Sequence, residues 1–202
     1  MEQANFLLVG VGGQGILTAG DILAQLGLQA GYEVKKSEVH GMSQRGGAVN
    51  SHVRFGRVVY SPLIGRGGAD YLLAFEMLEA LRWVHFLHPR SVVLVNDERL
   101  PPLAVTSGGA RYPEPEEVRR ELAGRAGRVL FIEGARLSRE LGNPRVANAV
   151  LLGALSTFLP FAPSLWEEVI RARVPARHFE LNRQAFYLGR AQVESQGEQM
   201  PH

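Results

Sequence analysis

Cysteine is absent from all 202 residues, and this excludes more chemistry than any other feature of the chain. Without thiols there are no disulfides, no thiolate-held iron–sulfur clusters and no cysteine nucleophile. Electron transfer through clusters would therefore need a second polypeptide to carry them. Lysine is nearly absent too: Lys35 and Lys36 are the only two, and arginine supplies the remaining cations. The formal net charge is only +2, although the sequence pI is about 9.2. The basic residues are not massed in one block, which argues against nucleic acid as a partner. No apolar run is long enough to cross a bilayer. The nearest, residues 151–163, is interrupted by Gly153, Pro160 and Pro163. The first six residues lack the basic and apolar regions of a secretory signal, so a cytoplasmic location is expected. Neither a G-x-S-x-G elbow nor a P-loop lysine occurs, so hydrolase and kinase chemistry has no anchor.

A hydrophobic share of 46% and a charged share of 21% describe an ordinary globular chain. The length suits one compact domain with a sizeable core. Phe6–Val9 reads as a buried strand ending in glycines, and Ile16, Ala19, Leu23 and Leu26 recur at helical spacing behind them. Tyr32–Ser37, Tyr71–Phe75, Ser91–Asn96 and Arg128–Glu133 repeat the strand pattern, and a helix is expected from Glu76 to about Leu87. Ala48–Phe55 alternates, with Val49, Val53 and Phe55 on one side and Asn50, His52 and Arg54 on the other. A turn at Gly56-Arg57 would fold it onto Val58-Val59-Tyr60 as a β-hairpin. Pro115-Glu116-Glu117 reads as a helix start. Ser164 and Glu167 have capping-box spacing. From Ala135 the pattern is helical nearly to the end. Val150–Leu155 is apolar on all sides, as in a core helix or a helix buried at an interface. The expected fold is α/β: an open, mostly parallel, Rossmann-like sheet with a β-hairpin insertion and a helical C-terminal third. Residues 1–193 form a single domain in this reading, and 194–202 a loose polar tail.

Two motifs could carry chemistry. Gly10, Gly12 and Gly15 match G-x-G-x-x-G after a strand and before a helix. There the backbone can approach a phosphate, and the helix start offers free N–H groups. The acid that would bind a ribose at the end of the second strand is missing, because Glu33 falls at that strand's start and Lys35, Lys36 and Ser37 at its end. A phosphate or anion site and a merely tight turn both remain open. The second motif is the run His40-Gly41-Met42-Ser43-Gln44-Arg45-Gly46-Gly47, read as a loop beyond a strand end, where open α/β folds bind ligands. His40 can exchange a proton near neutral pH, and Arg45 can clamp a carboxylate or phosphate. His40 alone would pass for a surface histidine. Together with Arg45, Gln44 and the polar strand face of Asn50, His52 and Arg54, it points to function.

The stretches GVGGQGILTAGDILA, KSEVHGMSQRGGAVNSHVRFG and YSPLIGRGGADYLLAFEMLEALR, with PRVANAVLLGAL and FELNRQAFYLGR later, resemble the gamma-type domain of 2-oxoacid:ferredoxin oxidoreductases. Within that family the chain is most similar to the small beta subunits of the indolepyruvate enzymes, over nearly its whole length. The resemblance implies a division of labour. A larger partner subunit would hold thiamine diphosphate, its Mg ion and the iron–sulfur clusters, and pass electrons to ferredoxin. Coenzyme A would be the co-substrate that takes up the acyl group. This chain would hold none of these cofactors alone and would shape a shared active site. Gly10, Gly12, Gly13, Gln14, Gly15, Ser37, Gly41, Met42, Ser43, Gln44, Gly46 and Gly47 would lie near that site as cofactor-binding positions. His40 and Arg45 are the candidates for a catalytic part. An isolated chain with its partner surface bare would be open to self-association.

Other residues are weaker candidates. Glu76 starts a helix at a strand's C-terminal edge, for function or for the helix dipole. His85 and His88, beside Trp83, form either half of a metal site or a helix-end pair, and no third ligand is near in sequence. Asn96-Asp97-Glu98 either lines the crevice or makes a turn. Two rival functions stand beside the leading one: an autonomous nucleotide-binding oxidoreductase, which the glycine motif favours and the missing acid opposes, and a purely structural docking subunit.

Overall fold

The computed structural model describes residues 2–40 and 47–198. The strands are β1 (Gln3–Val11), β2 (Glu33–His40), β3 (Ala48–Gly56), β4 (Tyr71–Ala74), β5 (Val92–Asn96) and β6 (Arg128–Ile132). The helices are α1 (Ile16–Gln29), α2 (Met77–Arg82), α3 (Leu103–Thr106), α4 (Pro115–Ala123), α5 (Gly134–Glu140), α6 (Ala147–Ser156), α7 (Pro163–Arg173) and α8 (Ala176–Glu198), with 3-10 turns at Val84–Phe86 and Pro144–Val146. The strands form one six-stranded sheet in the order β2-β3-β1-β4-β5-β6. β1, β4, β5 and β6 pair in parallel, while β3 is antiparallel to both β1 and β2. β3 therefore runs against the other five, and their C-terminal ends share one edge with its beginning.

Alternation along the strands divides the core in two. Phe6, Leu8, Leu73, Leu94 and Ile132 face a layer made by α1, α6, α7 and α8. Leu7, Val9, Leu72, Val93 and Val95 face α2, α4 and the segment containing Ile64 and Ala69. The open α/β architecture expected from the sequence is present. Its hairpin differs: β3 pairs with β2, from His40↔Val49 to Glu33↔Gly56, and 58–60 is not a strand. Val59 is buried beneath that segment while Val58 and Tyr60 are exposed. Its alternation thus serves a loop laid across the sheet, and not a ladder.

The C-terminal third is helical as expected, with two differences. α7 begins at Pro163 with Ala162 as its N-cap, so the Ser164/Glu167 box does not form. Proline's fixed φ favours the first helical position and sets the start one residue before Ser164. A reciprocal capping box forms instead at Glu114 and Glu117 of α4. α8 continues past Val193, where a polar tail is expected, as far as Glu198. No helix among the described residues is long and apolar enough to cross a membrane.

α6 is buried on every side, from Ala147 to Ser156, which makes it the central core helix of its layer. It crosses α8 at two glycines. A Cβ on Gly153 would fall inside the carbonyl of Phe186, and one on Gly189 inside the carbonyl of Val150. Neither helix can retreat, because Leu151, Leu155 and Phe186 are fully buried around the crossing. Gly153→Ala or Gly189→Ala is expected to cost at least ~2 kcal/mol by overpacking. Calorimetry should read this as a fall in Tm of roughly 4–8 °C for a chain this size. Gly65→Ala, where a Cβ meets nothing within 4 Å, should change stability by less than about 0.5 kcal/mol.

Candidate functional site

The edge at which β1, β2, β4, β5 and β6 end is where an open α/β sheet binds ligands, above all where successive connections diverge to opposite faces. Here that point lies between β1 and β4: β1 leads into α1 on one face, and β4 into α2 on the other. The glycine turn stands directly over it. Gly15 takes a left-handed φ of 81° as the N-cap of α1 and makes no side-chain cap. At Gly10 a Cβ would approach Gln14 Oε1 to 2.6 Å and Phe75 Cβ to 2.8 Å, so the turn and the end of β4 are packed backbone to side chain.

Gln14 organises this point. Its Oε1 accepts from Val11 N at 2.7 Å, and its Nε2 donates to Phe75 O at 2.9 Å and to Glu98 Oε2 at 2.7 Å. Gln14 N itself donates to Val11 O at 3.2 Å, and Gly12 N donates to Gly47 O at 2.9 Å. Three backbone N–H groups of the turn are therefore committed within the protein, and a carboxylate stands beside it. That arrangement disfavours a phosphate in the position a dinucleotide's pyrophosphate would take. On the other side of the turn Asn148, buried in the first turn of α6, brings its amide against Gly15. Asn148 is a site residue that the sequence reading missed. Its signal was available: it is the single polar residue in the apolar run from Ala147 to Leu155.

The second motif reaches the same edge. β2 ends at His40, paired with Val49, and Gly47 bonds to the glycine turn. Gly47 is thus delivered beside Gly12, and His40 ends the next strand out at the same edge, across β3 from Gly10. Gly41, Met42, Ser43, Gln44, Arg45 and Gly46 lie outside the described residues. Ser37 pairs with His52, level with Leu7, four residues below the end of β1, so it does not join the turn. The lysine pair divides between faces. Lys36 meets Asp21 of α1 and Glu38, and Arg173 of α7 meets the same Asp21. Burial opposes the charge on Lys36, but its two carboxylates outweigh this and raise its pKa. Burial likewise opposes ionisation of Asp21, yet the bonds from Lys36 and Arg173 hold its carboxyl below the usual range. This network clamps the base of the loop strand to α1 and α7.

Several other candidates have structural work. The polar face of β3, expected to favour function, is covered. His52 Nδ1 accepts from Ile64 N at 3.1 Å, and Arg54 donates to Asn5 Oδ1 at 2.8 Å and to the carbonyls of Ser61 and Leu63 at 2.8 and 3.0 Å. Glu76 is buried as the N-cap of α2, accepting from Glu79 N, Leu100 N and the Tyr112 hydroxyl. Asn96 and Asp97 both accept from Ala135 N at the start of α5; Glu98 meets Gln14 of the glycine turn directly, and Asn96 Nδ2 donates at 3.2 Å to the Phe75 carbonyl that Gln14 also binds. His85 packs on Trp83 and Phe86, whereas His88 faces Asp70 at 3.4 Å. Among the described residues no group of three or more His, Asp or Glu side chains is placed to hold a metal ion.

Replacing Gln14 by Met keeps the side-chain length but strips the turn of its bridge. The loss should be about 1–3 kcal/mol, read by denaturant unfolding, because Val11 N is left without its acceptor while Phe75 O keeps only Asn96 Nδ2. His52 gives a pH signature. Burial and the nearby Arg54 hold its pKa below the ordinary 6.5, and as an acceptor at Nδ1 it must be neutral with its proton on Nε2. The unfolded chain protonates it near 6.5, so its contribution is complete above that pH and lost as the pH falls toward the folded value. Tm should fall between pH 7.5 and 5.5, and His52→Asn, which keeps an acceptor but cannot titrate, should fall less.

A profile of the pyruvate ferredoxin/flavodoxin oxidoreductase family matches residues 5–192. The indolepyruvate oxidoreductase subunit IorB of Pyrococcus horikoshii is 42% identical over 192 residues, 94% of this chain and 95% of that protein. Among solved structures, the gamma subunit of a keto/oxoacid ferredoxin oxidoreductase from Geobacter sulfurreducens has a TM-score of 0.70 at 24% identity. That match covers 95% of this chain and 99% of the other. The 2-oxoglutarate:ferredoxin oxidoreductase from Magnetococcus marinus, solved with 2-oxoglutarate, coenzyme A and succinyl-CoA, has a TM-score of 0.75 at 21% identity. There the fold covers 96% of this chain but only 32% of the longer one. By the extent of the family match and by its identity to full-length relatives, the chain belongs to the pyruvate ferredoxin/flavodoxin oxidoreductase family.

Proposed function

We propose that this chain is the cluster-free subunit of a thiamine-diphosphate-dependent 2-oxoacid:ferredoxin oxidoreductase that acts on indolepyruvate or related aryl pyruvates. The observation that carries the proposal is the 42% identity to an indolepyruvate oxidoreductase subunit across nearly the whole of both chains. The chain has no cysteine, so the clusters, with thiamine diphosphate and Mg, belong to a larger cytoplasmic partner that hands electrons to ferredoxin. When bound there, thiamine diphosphate supplies the decarboxylating chemistry, and coenzyme A takes the acyl group.

The part left to this chain is to close and shape the shared site. The bond between Gly12 N and Gly47 O holds one end of the His40–Gly47 loop beside the glycine turn, and the other end leaves β2 at the same edge; this supports the sheet's C-terminal edge as the face turned to that site. His40 and Arg45 are then the residues offered to the oxoacid or coenzyme A: the imidazole to move a proton, the guanidinium to hold an anionic group. The commitment of Val11, Gly12 and Gln14 N–H groups within the protein favours this shared role over an autonomous nucleotide-binding oxidoreductase.

The test is reconstitution with the co-expressed larger subunit, assayed by arylpyruvate-dependent viologen reduction in the presence of coenzyme A. His40→Ala or Arg45→Ala should lower kcat/KM by roughly 100-fold or more, the lower end of what one positioned group contributes, with the complex still assembled. Full turnover in both variants would reduce the chain to a docking subunit.

A further inference from the structure

The segment from Arg57 to Ile64 crosses the face of the sheet opposite α1, and it is fixed along its length. Arg57 N donates to Glu2 O at 3.1 Å and Val59 N to Glu33 Oε2 at 3.1 Å. Arg54 holds the carbonyls of Ser61 and Leu63, and His52 accepts from Ile64 N. Val59 and Ile64 are buried as anchors at 2% and 5% exposure. Between these ties the segment displays the opposite chemistry: Val58 is 53% exposed, Leu63 54% and Tyr60 93%. The buried His52, the half-buried Arg54 and the carboxylate of Glu33 are thus engaged in holding three large apolar side chains in water. A loop needed only to connect β3 to β4 has no reason to be immobilised with that face outward.

Immobility is what a docking surface gains from, since the ordering cost is met before the partner arrives. Tyrosine is also a residue type that anchors interfaces. The charges around it say what partner fits. Arg57 and Arg66 flank the apolar residues, both exposed and with no ion pair among the described residues. The sequence holds no acid from Arg57 to Ala69, and the exposed acid that touches the segment, Glu33, is already paired with Lys35 at 3.3 Å, so the arginines carry the patch's net charge. A second copy meeting this loop across a two-fold axis would set these arginines against their own equivalents. A different polypeptide, with an apolar recess rimmed by carboxylates, would complement it. In the Magnetococcus marinus oxidoreductase the same fold makes up 32% of a longer chain, so it also occurs covalently joined to further domains of an oxidoreductase.

We propose that Val58, Tyr60 and Leu63, flanked by Arg57 and Arg66, are the surface by which this chain docks onto its larger thiamine-diphosphate-binding subunit. This rests on the reading of the chain as a subunit of such a complex. It adds a second contact, on one face of the sheet, distinct from the C-terminal edge that shapes the active site.

The test measures the Kd between this chain and the separately purified larger subunit for the wild type, Tyr60→Ala, the double variant Val58→Glu/Tyr60→Glu and the α8 surface variant Leu188→Glu. Tyr60→Ala should weaken binding at least ~30-fold, as loss of an interface anchor does. The double variant should weaken it at least ~100-fold, because buried carboxylates would then face an acidic rim. Leu188→Glu should bind as the wild type. The Tm of each free chain, whose altered side chains are exposed, should stay within about 2 °C of wild type. Unchanged Kd in both loop variants, with wild-type binding intact, would overturn the surface assignment alone. So would a double variant that abolishes self-association and leaves the complex untouched, since the occupant would then be a second copy. A wild-type chain that does not bind the larger subunit would remove the subunit reading together with this surface.

Discussion

The hydrogen bond from Gly12 N to Gly47 O closes the β1/β3 ladder at the edge where every other strand ends. It exists because β3 lies between β1 and β2 and runs against both. Had β2 paired with β1 directly, as in a wholly parallel sheet, the chain leaving β2 would have turned back over the sheet as a helix. Inserting an antiparallel strand makes it return at once, beside the glycine turn. The position of the second motif's two ends is therefore a consequence of strand order. The clamp of Lys36, Asp21, Glu38 and Arg173 below it holds the strand that carries it.

At this site a nucleotide-fold architecture is put to a different use. Its switch point between β1 and β4 is occupied by a side chain of the chain itself. Gln14 joins the turn to Phe75 and Glu98 with three hydrogen bonds, and the N–H groups a pyrophosphate would need are partly taken. The fold contributes an edge and a rigid frame, and the chemistry needs a partner. Such a frame suits a subunit that shapes a site whose reactive groups are carried elsewhere. The rigid apolar loop at 57–64, held by Glu33, His52 and Arg54, belongs to the same division of labour.

Much of this was legible in the residues. Buried parallel strands announce themselves as short apolar runs, and Phe6–Val9, Tyr71–Phe75, Ser91–Asn96 and Arg128–Glu133 all lie on strands within a residue or two. The apolar run at Val150–Leu155 is the buried helix its pattern implied. Pairing was not legible. Val58-Val59-Tyr60 carries strand-forming residues, yet a partner for β3 was already present in β2, whose polar side chains Lys36 and Glu38 concealed how far it extends. The role of Gln14 was hidden for a different reason: its partners Phe75 and Glu98 lie 61 and 84 residues away, and only the fold brings them together. His52 and Arg54 look functional because polar residues on a strand usually face water, and here a loop covers them; Asn50, beside them, is buried as well.

On this reading catalysis belongs to the assembly, and this chain completes it. The most direct measurement adds the chain in steps to a fixed amount of the separately purified larger subunit. At each step, arylpyruvate oxidation dependent on coenzyme A is followed by viologen reduction. Turnover should be low at the start, rise in proportion to added chain, and level off sharply at a fixed molar ratio. Full turnover by the larger subunit before any chain is added, with no change afterwards, would contradict the account.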